Sequence, residues 1–144
     1  MKRILVYHNA SLGDTIVALP ALKLVRKTFK ESTIFLLTVE HHNIKATQAE
    51  KILVNTNLID GYILLKANYK TISRLIKLRG DIRSFRPDCL IYLNEARNRF
   101  KLMRDYLMFK FFGIKRIIGI NFSKKKCELE KFEDGQYESI SHFL

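Results

Sequence analysis

The apolar positions of this chain fall in short runs, separated by longer segments in which they recur every three or four residues. Ile4-Leu5-Val6-Tyr7 is such a run and, with Arg3, predicts a strand over 3–7. Behind it, Ala18, Leu22, Val25 and Phe29 repeat at helical spacing opposite Lys23, Arg26, Lys27 and Lys30. Residues 14–29 therefore read as an amphipathic helix with a solvated basic face. "TIFLLTV", residues 33–39, has the unbroken apolar character of a strand covered on both faces. A loop and a helix are expected over 41–55, and the turn signal Asp60-Gly61 introduces a third strand over 61–65. Helical spacing returns over 68–85 and stops before Pro87. "CLIYL", residues 89–93, is a fourth strand; 99–112 is a helix ended by Gly113; 116–120 is a fifth strand.

Strands alternating with helices predict an α/β fold: a parallel sheet with helices on both faces. Right-handed crossovers make it a doubly wound, Rossmann-like domain, placed here over 1–122. From Ser123 the pattern changes. "SKKKCELEKFEDG" is charged and without a clear period, and "QYESISHFL" begins a helical pattern on the last residues. Residues 123–144 are therefore expected to be a charged loop and the start of a helix leading toward a further domain, absent from this sequence.

Composition changes this picture little. A chain of 144 residues with 47% hydrophobic and 28% charged residues suits one soluble domain. The apolar run behind Lys2 and Arg3 is too short for a signal peptide, and none reaches the roughly 20 residues of a membrane span. Cys89 and Cys127 form neither a CxxC pair nor a disulfide framework, which points to a reducing, cytoplasmic setting. Charge adds more. Residues 66–86 carry seven Lys/Arg against Asp81, 97–116 carry seven against Asp105, and the rest cancels, giving a net charge of +12. Cations concentrated in two helical stretches imply an anionic partner: nucleic acid, a phosphorylated sugar or lipid, or an acidic membrane face.

The chemistry concentrates where the first strand turns into the first helix, in "YHNASLGDTIV". In an open α/β sheet, ligands bind outside the carboxyl ends of the strands, and this loop is a favoured place. Gly13 permits a sharp turn or close approach of a ligand, and the helix behind it presents free N–H groups and a positive dipole end. Asp14 at that point reads either as the helix N-cap or as a proton acceptor, and local sequence alone leaves both open. Other chemistries are excluded. Gly13 stands alone, so no G-x-G-x-x-G or G-x-x-x-x-G-K-[ST] exists, and Ser11 lacks a G-x-S-x-G elbow. A phospho-receiver domain would need an acidic pair after the first strand, and "YHN" supplies none.

These residues carry a resemblance. Ser11-Leu12-Gly13-Asp14 followed by Ala18-Leu19-Pro20-Ala21-Leu22 resembles the opening of the family 9 glycosyltransferases, the group that includes the lipopolysaccharide heptosyltransferases. "FRPDCLIYL" resembles the family's Y-D-x-V-I-D-L strand, and "RDYLMFKFFGIKRIIGI" the helix and strand that close its N-terminal domain. The resemblance implies the N-terminal half of a GT-B enzyme: two Rossmann-like domains across a cleft, this one taking the acceptor and the other a nucleotide-sugar donor. It places Asp14 at the catalytic base of an inverting transfer, such as that of a heptose, to lipopolysaccharide or another surface glycan. Ser11, Gly13, His8 and Asn9 would line the acceptor pocket, although a structural hydrogen bond is an equal reading of His8. Arg97 and Arg99, after the fourth strand, would hold carboxylate or phosphate of an anionic glycan or glycolipid. No cofactor and no metal are implied; the adjacent His41 and His42 point apart in regular structure. Heptosyltransferases show Q-G where this chain has Asn94-Glu95, so a family 9 enzyme of another glycan pathway fits equally. A basic surface would also suit peripheral contact with the inner face of the cell membrane. Half of such an enzyme is expected to be inactive alone. Outside that class stand a basic nucleic-acid-binding α/β module and a non-catalytic interaction domain. Helix-turn-helix, RNP and zinc signatures are absent, so no nucleic acid partner is expected.

Overall fold

A computed structural model of the chain describes residues 1–9, 12–40, 52–66, 71–94 and 98–120. In chain order the elements are β1 (Arg3–Tyr7), α1 (Leu12–Val17), α2 (Leu19–Thr28), β2 (Thr33–Glu40), β3 (Gly61–Lys66), α3 (Ile72–Phe85), β4 (Cys89–Tyr92), α4 (Arg99–Phe111) and β5 (Ile117–Ile118). The strands form one sheet in the order β3-β2-β1-β4-β5, and every pairing is parallel. β1 lies at its centre, with Leu5 opposite Phe35 of β2 on one side and Leu90 of β4 on the other. The fold is the α/β, Rossmann-like doubly wound sheet that the alternation of elements predicts.

Side-chain alternation along β1 assigns the two faces. Leu5 and Tyr7 point into a core with Leu78 and Ile82 of α3 and Leu102 and Phe109 of α4. Ile4 and Val6 point the other way, onto Leu22 of α2 together with Leu53 and Leu58. Burial of a Leu or Ile side chain is worth about 1.5–3 kcal/mol. Leu78 and Ile82 therefore outweigh the roughly 1 kcal/mol that Gly80 costs the middle of α3.

Several element boundaries depart from the sequence expectation, and four of the departures have a local reason. The helix expected over 14–29 begins at Leu12 and is interrupted at Ala18. Pro20 has no N–H to give the Ile16 carbonyl and its ring crowds that turn, so α2 starts afresh with proline in its first turn. α3 starts at Ile72, because Thr71 is extended at φ −74° and ψ 133°. β5 is cut to Ile117–Ile118 because Gly119 turns the chain at φ +92°. A Cβ at Gly119 would stand 2.5 Å from the Tyr92 carbonyl oxygen, so only glycine fits there. α4 ends one residue early, at Phe111. Its close is a Schellman motif: Gly113 N–H donates to Lys110 O and Ile114 N–H to Phe109 O.

Arg26 is also not on a solvated face. It donates to the Leu58 and Ser32 carbonyls and to Asp60 Oδ2 at 2.8 Å, while Asp60 Oδ2 also accepts the Ile34 N–H. A half-buried guanidinium thus ties α2 to the approach to β3. The expected helix within 41–55 lies largely outside the described residues, and the tail 123–144 wholly so.

Candidate active site

The carboxyl ends of the strands carry the residues of interest. β1 continues toward β2 through helices on one face of the sheet, whereas β3 and β4 hand on to α3 and α4 on the other. The crevice between the ends of β1 and β4 is therefore the topological switch point, where sheets of this kind bind ligands. It is closed by three hydrogen bonds. Leu93 N–H donates to Tyr7 O at 2.9 Å, Asn9 N–H to Asn94 Oδ1 at 2.6 Å, and His8 Nδ1 lies 3.2 Å from Leu93 O.

His8 is the buried polar group of this crevice, only 2% exposed. Its backbone N–H donates to Leu37 O of β2, so the residue spans the ends of three strands. Because a carbonyl only accepts, Nδ1 carries the proton, and Nε2 is left as an acceptor. Nε2 is buried and has no hydrogen-bond partner among the described residues. Burial holds the imidazole pKa below its ordinary value; the Leu93 bond and the Asp14 carboxylate oppose this without overcoming it. His8 is neutral at pH 7.

α1 follows directly. Its first turn holds Asp14 at the third helical position, with Gly13 and Asp14 exposed and Thr15 fully buried. The N-cap reading of Asp14 is thereby excluded, since the capping position precedes Leu12. The carboxylate stands in the first turn, favoured by the helix dipole, and couples electrostatically to His8 below it.

Across the crevice, Tyr92 ends β4 and packs its ring 5.4 Å from that of Tyr7. Its hydroxyl donates to Asp105 Oδ2 at 3.0 Å, while Arg104 holds Asp105 Oδ1 through Nε and a terminal amine. Burial and the Asp105 carboxylate push the Tyr92 phenol far above its ordinary range, so it stays a protonated donor. Asn98 caps α4 by accepting the Phe100 N–H, which places Arg99, exposed, at the carboxyl end of the sheet. Arg99 makes no hydrogen bond or ion pair among the described residues, and its helix lies on the sheet face opposite α1. Ser11 and Arg97 fall outside the described residues.

The structure thus brings together His8, Asn9, Gly13 and Asp14, and sets Arg99 on the same rim. Two partners escaped the sequence reading. Asn94 stood out only as a departure from Q-G, yet its side chain accepts the Asn9 N–H just beyond β1. Asp105 occupies a core position of α4 between Leu102 and Phe109; a carboxylate in an otherwise apolar helical stripe is the signal that would have found it.

No protein-family model matches the sequence, and neither does any curated protein. Among solved structures the chain is similar to the crystal structure of a glycosyl transferase family 9 protein from Veillonella parvula DSM 2008, at 21% sequence identity and a TM-score of 0.59. The match covers 92% of this chain and 37% of that one, so the chain spans little more than a third of that protein's length. At this identity the likeness establishes a shared fold: the parallel sheet and flanking helices of this chain match those of a part of that protein.

Proposed function

We propose that this chain is the acceptor-side, base-bearing part of an inverting glycosyltransferase of the family 9 kind. The observation that carries the reading is the place of Asp14. It is an exposed carboxylate in the first turn of α1, beside the β1–β4 switch point, in a fold shared with a family 9 glycosyl transferase. Asp14 takes the proton of an acceptor hydroxyl as that oxygen bonds to the anomeric carbon of a nucleotide-sugar. The carbon–phosphate oxygen bond breaks, and the nucleoside diphosphate leaves with the electron pair. His8, neutral and tied to Leu93, couples to the base and adds no positive charge beneath it. Arg99 offers a guanidinium fork to an acidic group of the acceptor, an anionic glycan or glycolipid such as a lipopolysaccharide core. Donor binding belongs to a second domain of the GT-B kind. A nucleic-acid-binding role is not favoured by a structural match to a glycosyl transferase.

The test is sugar transfer from a panel of nucleotide-sugars to core oligosaccharide acceptors, with the chain alone and with a separately expressed donor domain. Transfer is expected only in the second case. There, Asp14→Asn lowers kcat by at least about 100-fold, the usual size of a general-base contribution, with unchanged folding. Equal turnover by the Asp14→Asn variant would remove Asp14 from the chemistry. Transfer by the chain alone would overturn the division of labour between two domains.

A further inference from the structure

α4 is apolar on two opposite faces. Leu102 and Phe109 are buried in the core, yet Phe100, Met103, Leu107 and Phe111 follow one another at helical spacing on the outer side and are 86%, 46%, 59% and 63% exposed. A helix apolar all round belongs where both faces are covered. The neighbouring helix continues the surface. Ile72 and Ile76 of α3 are 75% and 65% exposed, and the Arg79 guanidinium lies 4.5 Å over the Phe111 ring, joining the two stripes. Cations surround them: Arg74, Lys77 and Arg83 on α3, Arg99, Lys101 and Lys110 on α4. Arg83, Arg86 and Lys115, with the exposed Asp88 among them, also line an open cleft where the two helices end. Asp81 is the exposed carboxylate of the described helical layer, since Asp105 is buried beneath Arg104.

We infer that the outer face of α3 and α4 docks on an anionic phospholipid bilayer, with Phe100, Leu107 and Phe111 entering the acyl boundary and the flanking Lys and Arg side chains held at the headgroups. Both halves of the surface are then used: apolar side chains leave water, and the cations meet negative lipid. A second copy of the chain fits worse, because two such faces would oppose like charges. Nucleic acid would satisfy the cations but leave Ile72, Ile76 and Leu107 in water. No described helix is long and apolar enough to cross a membrane. The first turn of α4 lies at the same end of the sheet as Asp14, on the opposite face. The docking itself does not depend on the transferase reading.

Sedimentation with vesicles tests it. The full chain is expected to bind vesicles rich in phosphatidylglycerol, to release in high salt, and to ignore pure phosphatidylcholine. A Phe100→Ser, Leu107→Ser, Phe111→Ser variant, whose changes are all at exposed positions, should bind at least about tenfold more weakly at every salt concentration at which the parent binds. Lys77→Glu with Lys101→Glu should weaken binding to a similar degree and only at low salt. Circular dichroism and melting temperature, unchanged in both variants, separate these losses from unfolding. Absence of binding to the anionic vesicles, or unchanged binding by the triple serine variant, overturns the inference. So does a dimer in sedimentation velocity that Leu107→Ser dissolves, or vesicle binding that appears only after residues beyond 120 are removed. Tighter binding to single-stranded RNA than to anionic vesicles, indifferent to the serine changes, would assign the face to nucleic acid instead.

Discussion

Replacing His8 tests the electrostatics of the switch point without assuming any reaction. The folded protein holds this imidazole below its ordinary value of 6.5, whereas the unfolded chain does not. Above both values neither state is protonated, and His8 contributes nothing to the pH dependence of stability. As the pH falls through the ordinary value, the unfolded chain takes up a proton that the native state refuses, and stability drops. Each unit of native depression costs about 1.4 kcal/mol once the pH is below both values. His8→Asn removes the titration while leaving an amide N–H near the place of Nδ1, able to donate to the Leu93 carbonyl. It should lie within about 1 kcal/mol of the parent at about pH 8 and be flatter toward about pH 5. His8→Leu is equally flat but leaves the Leu93 carbonyl without that donor, a cost of about 1–3 kcal/mol at every pH, offset in part by apolar burial. Urea unfolding followed by circular dichroism across this range measures both effects. Identical pH slopes for the parent and both variants would refute the argument, because they would mean that His8 titrates alike in the folded and unfolded chain.

Gly119→Ala should destabilise by about 1–3 kcal/mol or more, read as a lowered melting temperature, because a Cβ meets the Tyr92 carbonyl at 2.5 Å with φ at +92°. Asp105→Ala removes the acceptor of the buried Tyr92 hydroxyl and should cost about 1.5–3 kcal/mol, whereas Tyr92→Phe leaves Asp105 paired with Arg104 and costs about 0.5–1.5 kcal/mol. The double variant should lose less than the sum, and strict additivity in denaturant titrations would show that the two groups do not share one contact. In the transfer assay, Arg99→Ala should raise the acceptor KM by roughly tenfold with kcat nearly unchanged; an unaltered KM would return Arg99 to the solvated surface.

How much the sequence disclosed varied with the range of the interaction. β1 and β4 are legible because "ILVY" and "CLIY" are unbroken apolar runs bounded by polar residues, and that signal is local. Gly113 as the end of α4 and the strand-end position of Asp14 are local too. The interruption at Ala18 was written in Pro20 but lost against a continuous apolar stripe from Ala18 to Phe29. Arg26 was placed on a solvated face because its partner Asp60 lies 34 positions away. The site suffers most from such distances. Asn9 meets Asn94, and His8 meets Leu93, across a separation of 85 residues. Only the parallel pairing of β1 with β4 creates those contacts, and periodicity along the chain carries no trace of them. Asp105 shows a different failure, since a carboxylate on the buried stripe of a helix is a visible anomaly whose partner, Tyr92, is visible only in the fold.

The junction between α1 and α2 has a mechanical consequence. A six-residue segment carries the carboxylate, and the second residue of the segment behind it, Pro20, cannot bond backward across the joint. Bending there breaks no backbone bond at position 20, whereas the same bend in an uninterrupted helix would sacrifice one. Asp14 therefore rides on a short arm, anchored at its base by the Ala18 N–H to the Asp14 carbonyl and by the Leu22 N–H to the Ala18 carbonyl. α2, pinned by Arg26 and Leu22, stays with the sheet. With no bond to break at position 20, a tilt of this arm costs less than the same tilt in an unbroken helix, and the core behind it keeps its packing.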